Sequence, residues 1–234
     1  LTDHGCRCAF THLPGDNNER RTKRAVKALG IEDPWFTPLD ASCDEQIDEV
    51  FTRYAEQYDA LHILVHSIAF ADREWLAKGN FMQTPREAFL KALDISVYTL
   101  LGITRAATPI MERSGGGSIM SMTYYGAQKV VPGYNVMGVA KSALECTTRY
   151  LAADLGAKGI RINTLSGGYL RTLAASAVGG IADLEAHSLE RSPLKRNVEG
   201  SDVGKAAVFL ASDLASGVTG ENLFVDCGVN VVGV

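Results

Sequence analysis

The sequence predicts an α/β protein built on a doubly wound parallel sheet with helices on both faces. Three observations carry this. Short apolar runs rich in β-formers alternate with longer segments of helical periodicity along the chain. The strand-like runs are nearly continuous in apolar character, as strands covered on both faces are. Their carboxyl ends carry small or polar residues: His12-Leu13, Asp40-Ala41, His66-Ser67-Ile68-Ala69, Thr123-Tyr124 and Ser166-Gly167-Gly168. Ligands of open parallel sheets bind beyond those ends, so the pattern predicts a cleft for a long, flat ligand.

Residues 1–5 read as a helix tail closed by Gly5, which can take the left-handed cap conformation. A strand follows over 6–12, then the turn Leu13-Pro14-Gly15-Asp16, then a helix over 17–29 stopped by Gly30. A second strand over 35–39 ends at Asp40. Ser42 and Glu45 have capping-box spacing for a helix reaching residue 58. A buried strand over 61–65 comes next. Thr84, Pro85 and Glu87 supply a cap, a first-turn proline and a capping-box acid for a helical region over 85–113. The run Ser114-Gly115-Gly116-Gly117-Ser118 precedes a strand rather than following one, so it is a turn and not a phosphate loop. That strand covers 118–122, and a helix over 134–155 and a strand over 160–165 succeed it. A Gly- and Ala-rich segment fills 166–200 before a helix over 201–213 and a last strand over 222–225. With no repeat, linker or low-complexity tract, residues 1–234 form a single domain.

Bulk properties exclude several function classes. The chain has 234 residues, 46% hydrophobic and 21% charged, an ordinary globular balance. A net charge of −4 without a long basic run argues against a nucleic-acid partner. No apolar run is long enough to span a bilayer. The five cysteines are odd in number and lack ligand spacing, which fits a reducing cytoplasm and no metal site. His62 and His66 share one strand face, but no acidic or cysteine partner lies nearby in sequence.

The most informative stretch is 118–145, SIMSMTYYGAQKVVPGYNVMGVAKSALE. A strand end passes through a loop holding Tyr124, Tyr125, Gly126, Pro132 and Gly133 into a helix that carries Lys141 two turns in. Two phenols and one amine at the end of a buried strand suit proton and hydride chemistry. Tyr134 and Lys141 are seven residues apart, roughly 10 Å of axial rise, and return to nearly the same helix face.

On these residues the chain resembles the short-chain dehydrogenase/reductases, and within them the bacterial NADH-dependent enoyl-acyl-carrier-protein reductase family. The resemblance also uses His66 to Ala71, Arg161-Ile162-Asn163, Arg171 to Ser176 and Val225-Asp226-Cys227-Gly228. It spans essentially the whole chain and implies a Rossmann-like sheet. Its most specific element is a tyrosine, six residues and a lysine, with a second tyrosine ten positions upstream. Carbonyl-reducing members of the superfamily place the tyrosine four residues before the lysine. Met137 stands there, so ketone reduction would lack its acid.

The resemblance implies hydride addition to a carbon–carbon double bond conjugated to an acyl-carrier-protein thioester, in a cytoplasmic homotetramer. Tyr134 would face the enolate oxygen, Lys141 the cofactor ribose, and Tyr124 the thioester, leaving Tyr125 to packing. Asp40 and Ala41 would flank the adenine, and Ser67, Ile68 and Ala69 would line ribose and nicotinamide. Leu170 and Thr172 would hold the carboxamide and phosphates. Ala71, Met137 and Ala174 would join the two tyrosines around the substrate, and residues 173–195 would form a lid or an ordinary surface helix pair. Leu13, at the end of the second strand, offers no acid for a ribose diol, and Arg20, Arg21 and Lys23 lie nearby. Those features favour a 2′-phosphate, whereas the resemblance itself implies NADH, so NADH is expected with NADPH open.

The sequence also departs from the family. Tyr169 stands where proline is usual, and Cys227 replaces a common glycine. The first strand, its glycine-rich turn and most of the first helix, a unit of about 30 residues, have no counterpart. That strand ordinarily sits at the sheet centre and its turn offers a helix N-terminus to the pyrophosphate. The expectation is a chain that further residues precede. It keeps open a rival of another class, a nucleotide-free scaffold.

Overall fold

The computed structural model describes residues 1–170 and 181–233. Its elements, in order, are β1 (Phe10–His12), α1 (Asp16–Ala28), β2 (Phe36–Pro38), α2 (Asp44–Gln57), β3 (Ile63–His66), α3 (Arg86–Leu93), α4 (Thr99–Arg113), β4 (Gly117–Thr123), α5 (Asn135–Leu155), β5 (Ile160–Gly167), α6 (Ile181–Arg191), α7 (Gly200–Ala211) and β6 (Asn222–Val225). Every described strand pairing is parallel. Within each ladder the carboxyl ends therefore lie along one edge, as the sequence predicts.

The strands form two ladders, β1-β2 and β3-β4-β5-β6. β4 and β5 make the longest pairing, from Gly117 opposite Ile160 to Thr123 opposite Ser166. Among the described residues β3 is hydrogen-bonded along one side only, and Val65 on it is 46% exposed. The two ladders share an apolar layer nonetheless. Leu39, Ala41, Ile47 and Val50 pack with Ile103, and Leu64 and Ile68 complete the cluster. The main core lies where α4 and α5 cover the sheet, with Leu100, Met111, Ile119, Leu144, Ile160 and Ile162 buried. Each such side chain contributes about 1.5–3 kcal/mol on burial.

Several expected boundaries move for identifiable reasons. The opening helix tail is a 3-10 turn, Thr2–His4, and Gly5 does take the left-handed conformation with φ 83°. The first strand begins at Phe10 rather than residue 6, because pairing starts where Phe10 N donates to the Trp35 carbonyl. No capping box forms at Ser42, whose hydroxyl donates instead to Asp40 Oδ1 at 2.6 Å. Cys43 is the N-cap of α2, with Asp44 and Glu45 in the first turn. Thr84 likewise donates to the Phe81 carbonyl at 2.7 Å, leaving Pro85 as the N-cap of α3. The region expected as one long helix is divided by a π-helical turn, Asp94–Tyr98. The glycine-rich turn is a packing device. A Cβ on Gly117 would lie 2.5 Å from the His62 carbonyl oxygen, and Gly116, at φ 111°, abuts the Gly159 carbonyl.

A polar seam crosses the core beside β4. His66 is buried, with Nδ1 3.0 Å from Ser121 Oγ and Nε2 2.9 Å from Thr99 Oγ1. Burial, and secondarily the nearby Lys141 charge, lower its pKa to about 3. The imidazole is thus neutral when folded, whereas in the unfolded chain it titrates near 6.5. Between those values the unfolded state binds the extra proton, so this contribution is complete above about pH 6.5 and is lost as pH falls toward 3. Urea unfolding from pH 7 to 4 should lose stability faster than in a His66→Gln variant, by up to about 1.4 kcal/mol per pH unit. Parallel pH slopes for the two proteins would remove the histidine from the account.

Candidate active site

The end of β4 and the start of α5 bring the two phenols together. Tyr124 follows β4 directly, and a 3-10 turn, Tyr125–Ala127, bends the chain back across α5. Gly126 is required at that turn, since a Cβ there would lie 2.5 Å from Tyr134 Cδ1. A Cβ on Gly138 would approach the Gly126 carbonyl oxygen to 2.8 Å, so the loop lies directly on the helix. Tyr134 is the N-cap of α5. Asn135 follows at a positive φ of 39° and is held by donating to the Trp75 and Ala77 carbonyls, each at 2.8 Å. The Tyr124 and Tyr134 rings meet edge to face, centroids 5.0 Å apart.

Lys141 is buried and donates from Nζ to the Met122 carbonyl at 2.7 Å. Burial lowers its pKa to about 8 while Glu145 opposes the fall, so the ammonium form predominates at pH 7. The phenols move the other way. Burial, with lesser effects of Tyr125, Tyr169 and Asp226, pushes Tyr124 up to about 12. Burial, and then Tyr124, push Tyr134 up further. Both tyrosines thus keep their protons at neutral pH, as Lys141 keeps its charge.

The other residues expected at the site fall in different places. Ala71, Met137 and Tyr134 share an apolar cluster with Leu76, Ala92 and Val136. Met137 is buried, and its sulfur lies 3.9 Å from Ser96 Oγ. Ser96, in the π-helical turn, also accepts from Phe70 N at 3.0 Å and donates to the Phe70 carbonyl at 3.2 Å. Such turns recur at functional sites, and this one pins the loop after β3. On the other side, Ala41 and Ile68 meet in one cluster. Ser67 and Ala69 are exposed beside Ile68, and Asp40 sits at the end of β2. Leu13, at the end of β1, is 58% exposed. Leu170 packs on Val198, Val203 and Cys227. Thr172 and Ala174, and residues 173–180 of the expected lid, lie outside the described residues.

Sequence reasoning missed Ser96, Gly126 and the electrostatic presence of Tyr169 and Asp226 beside Tyr124. Gly126, next to the tyrosine pair, is the one that its residue type alone flagged as a tight approach.

This edge fits a nicotinamide dinucleotide. An ammonium has three donors, and the recorded bond to Met122 uses one. Ser166 Oγ, buried at the carboxyl end of β5, has no partner among the described residues. Small or exposed residues, Ala41, Ser67 and Ala69, end the neighbouring strands. A parallel sheet bearing a half-buried phenol pair and a buried lysine at its carboxyl end defines a short-chain dehydrogenase/reductase type of protein.

The chain belongs to the enoyl-(acyl carrier protein) reductase family, whose profile matches residues 1–230. It is 44% identical over 233 residues to the NADH-dependent enoyl-acyl-carrier-protein reductase FabI of Synechocystis, covering 100% of this chain and 89% of that relative. The enoyl-acyl carrier protein reductase of Bacillus cereus, solved with NADP+ and indole naphthyridinone, superposes with a TM-score of 0.95 at 40% identity, over 100% of this chain and 90% of that one. The enzyme of Anaplasma phagocytophilum, solved with NAD, gives 0.89 at 42% identity, over 97% and 84%.

Gly126→Ala should displace the Tyr134 ring and lower nicotinamide-dependent turnover about 100-fold with the chain still folded. Unchanged turnover would show that the ring position does not matter.

Proposed function

We propose that the protein is an enoyl-acyl-carrier-protein reductase, reducing the 2,3 double bond of an enoyl thioester with NADH in fatty-acid elongation. The observation that carries this reading is the pairing of half-buried Tyr134, which keeps its proton at neutral pH, with buried Lys141 two turns along α5, with buried Met137 at the position a carbonyl reductase would fill with its acid. NADH, when bound, supplies the hydride that the β-carbon receives. The chain's own residues do the rest. Tyr134 offers its phenol to the thioester oxygen as negative charge develops there, which is the larger share of catalysis in such reactions. Its raised pKa keeps that proton in place for donation. Lys141 holds a ribose hydroxyl and lends positive field. Tyr124 lines the acyl pocket beside Tyr134, with Ala71 and Met137 as its apolar wall. Asp40, Ala41, Ser67, Ile68 and Ala69 serve the cofactor's adenosine and nicotinamide sides, and Leu170 serves the carboxamide.

NADH is favoured over NADPH by two contacts near Leu13. Arg20 donates to Asn17 Oδ1 at 2.6 Å and Lys23 is paired with Glu19, so two of the three cations near Leu13 are engaged. We further propose a homotetramer, which exposed Leu101 on α4 and Tyr150 on α5 support. Five free cysteines support a cytoplasmic setting. Among the described residues no helix is long and apolar enough to cross a membrane.

Crotonyl thioester should be reduced with loss of NADH absorbance, and Tyr134→Phe should cut turnover about 100-fold or more while NADH still binds. Absence of turnover with both NADH and NADPH in the folded protein would sink the assignment. A fully active Tyr134→Phe would sink the role of the phenol.

A further inference from the structure

One buried acidic side chain on α5 takes no part in the chemistry above. Glu145 lies one turn beyond Lys141 and is 6% exposed. Three donors from three different segments converge on its two oxygens. Thr123 Oγ1, at the end of β4, donates to Oε1 at 2.9 Å. Asn222 Nδ2, at the start of β6, donates to the same oxygen at 3.1 Å. Gln128 Nε2, in the loop between the two site tyrosines, donates to Oε2 at 3.1 Å. Asn222 is in turn oriented by Thr164, whose hydroxyl donates to its Oδ1 at 3.1 Å. A carboxylate, with acceptor capacity on both oxygens, is what this set of donors suits. An acid buried on a helix face costs stability unless it is well bonded, as it is here.

The geometry ties this carboxylate to the site. Lys141 grips the Met122 carbonyl and Glu145 grips the Thr123 hydroxyl, consecutive residues of one strand end. Between them Ser142 bonds the Ala127 carbonyl. Three residues within two adjoining turns of α5 thus hold both ends of the segment that presents Tyr124. We propose that Glu145 is a positioning residue: its charge keeps the Lys141 ammonium charged in a dry setting, and its hydrogen bonds hold the loop between Tyr124 and Tyr134.

Among the described residues two titratable groups act on the ammonium, Glu145 from its own helix and His66 from β3. His66 is neutral and bonded to Ser121 and Thr99, so Glu145 is the countercharge. In an interior of low effective dielectric a charge one helical turn away still matters. Lys141 titrates near 8 with the carboxylate present, so its loss would leave the amine poised to shed its proton around neutrality.

Glu145→Gln separates charge from shape. The Gln128 amide can turn to offer its oxygen, so the hydrogen bonds can be kept while the charge goes. In protein carrying 13C-labelled lysine, the Lys141 resonance is identified by its loss in Lys141→Met. Its titration midpoint should fall by about one pH unit in Glu145→Gln, a roughly tenfold change in the protonation equilibrium. Asn222→Ala removes one donor and keeps the carboxylate, so it should lower the melting temperature while the midpoint stays near that of the parent. A midpoint unmoved in folded Glu145→Gln, or moved equally by Asn222→Ala, overturns the proposal. Should Glu145→Gln not fold, Glu145→Asp carries the test: the midpoint should hold because the charge is kept, and a fall of a full unit counts against the proposal. The role rests on the reductase reading, but the midpoint is read without turnover. Activity of the parent on crotonyl thioester tests that reading separately.

Discussion

The bond from Lys141 Nζ to the Met122 carbonyl is the constraint on which the rest of the site depends. A buried ammonium is expensive, and it is tolerated because a strand-end carbonyl and a nearby carboxylate compensate it. That bond fixes α5 against the carboxyl end of β4. Once the helix is fixed there, its N-terminus must meet the loop leaving the strand. Gly126 and Gly138 let backbone lie on backbone at that meeting, and the Tyr134 ring fills the space that a side chain on Gly126 would take. The edge-to-face phenols follow from the same closure.

The site's electrostatics follow from dryness. The same burial that lowers Lys141 raises Tyr124 and Tyr134, so the amine and the phenols are driven in opposite directions by one cause. The result is a cation and two intact proton donors where β4 leads into α5, near neutral pH. His66 extends the pattern into the core, held neutral between two hydroxyls. His66 and Lys141 are thus bonded to protein groups, which holds this side of the site rigid.

The π-helical turn at Asp94–Tyr98 has a comparable role on the opposite wall. It brings Ser96 against both backbone groups of Phe70 and against the Met137 sulfur. The loop after β3, the α3–α4 region and α5 are therefore registered at one point. Sequence pattern reads that region as a single helix, because a π turn changes hydrogen-bond partners without changing which residues are apolar.

The sequence by itself determined the parallel α/β architecture, the strand ends and the phenol–lysine spacing. These depend on local period and on residue type, which a chain displays directly. β6 and the helix carrying Lys141 fall where periodicity places them, the latter within one residue. Caps at Ser42 and Thr84 failed because their hydroxyls found closer acceptors, Asp40 and the Phe81 carbonyl. Only the tertiary structure decided what lies between distant segments. The division into two ladders, the Ser96 bridge across 26 residues and the convergence of Thr123, Gln128 and Asn222 on Glu145 are of this kind. Each is a hydrogen bond between groups far apart in the chain, and no local pattern encodes such a bond. In the tyrosine–lysine stretch the spacing was visible from the start, whereas its buried counterion was seen only once the strands and helix were packed.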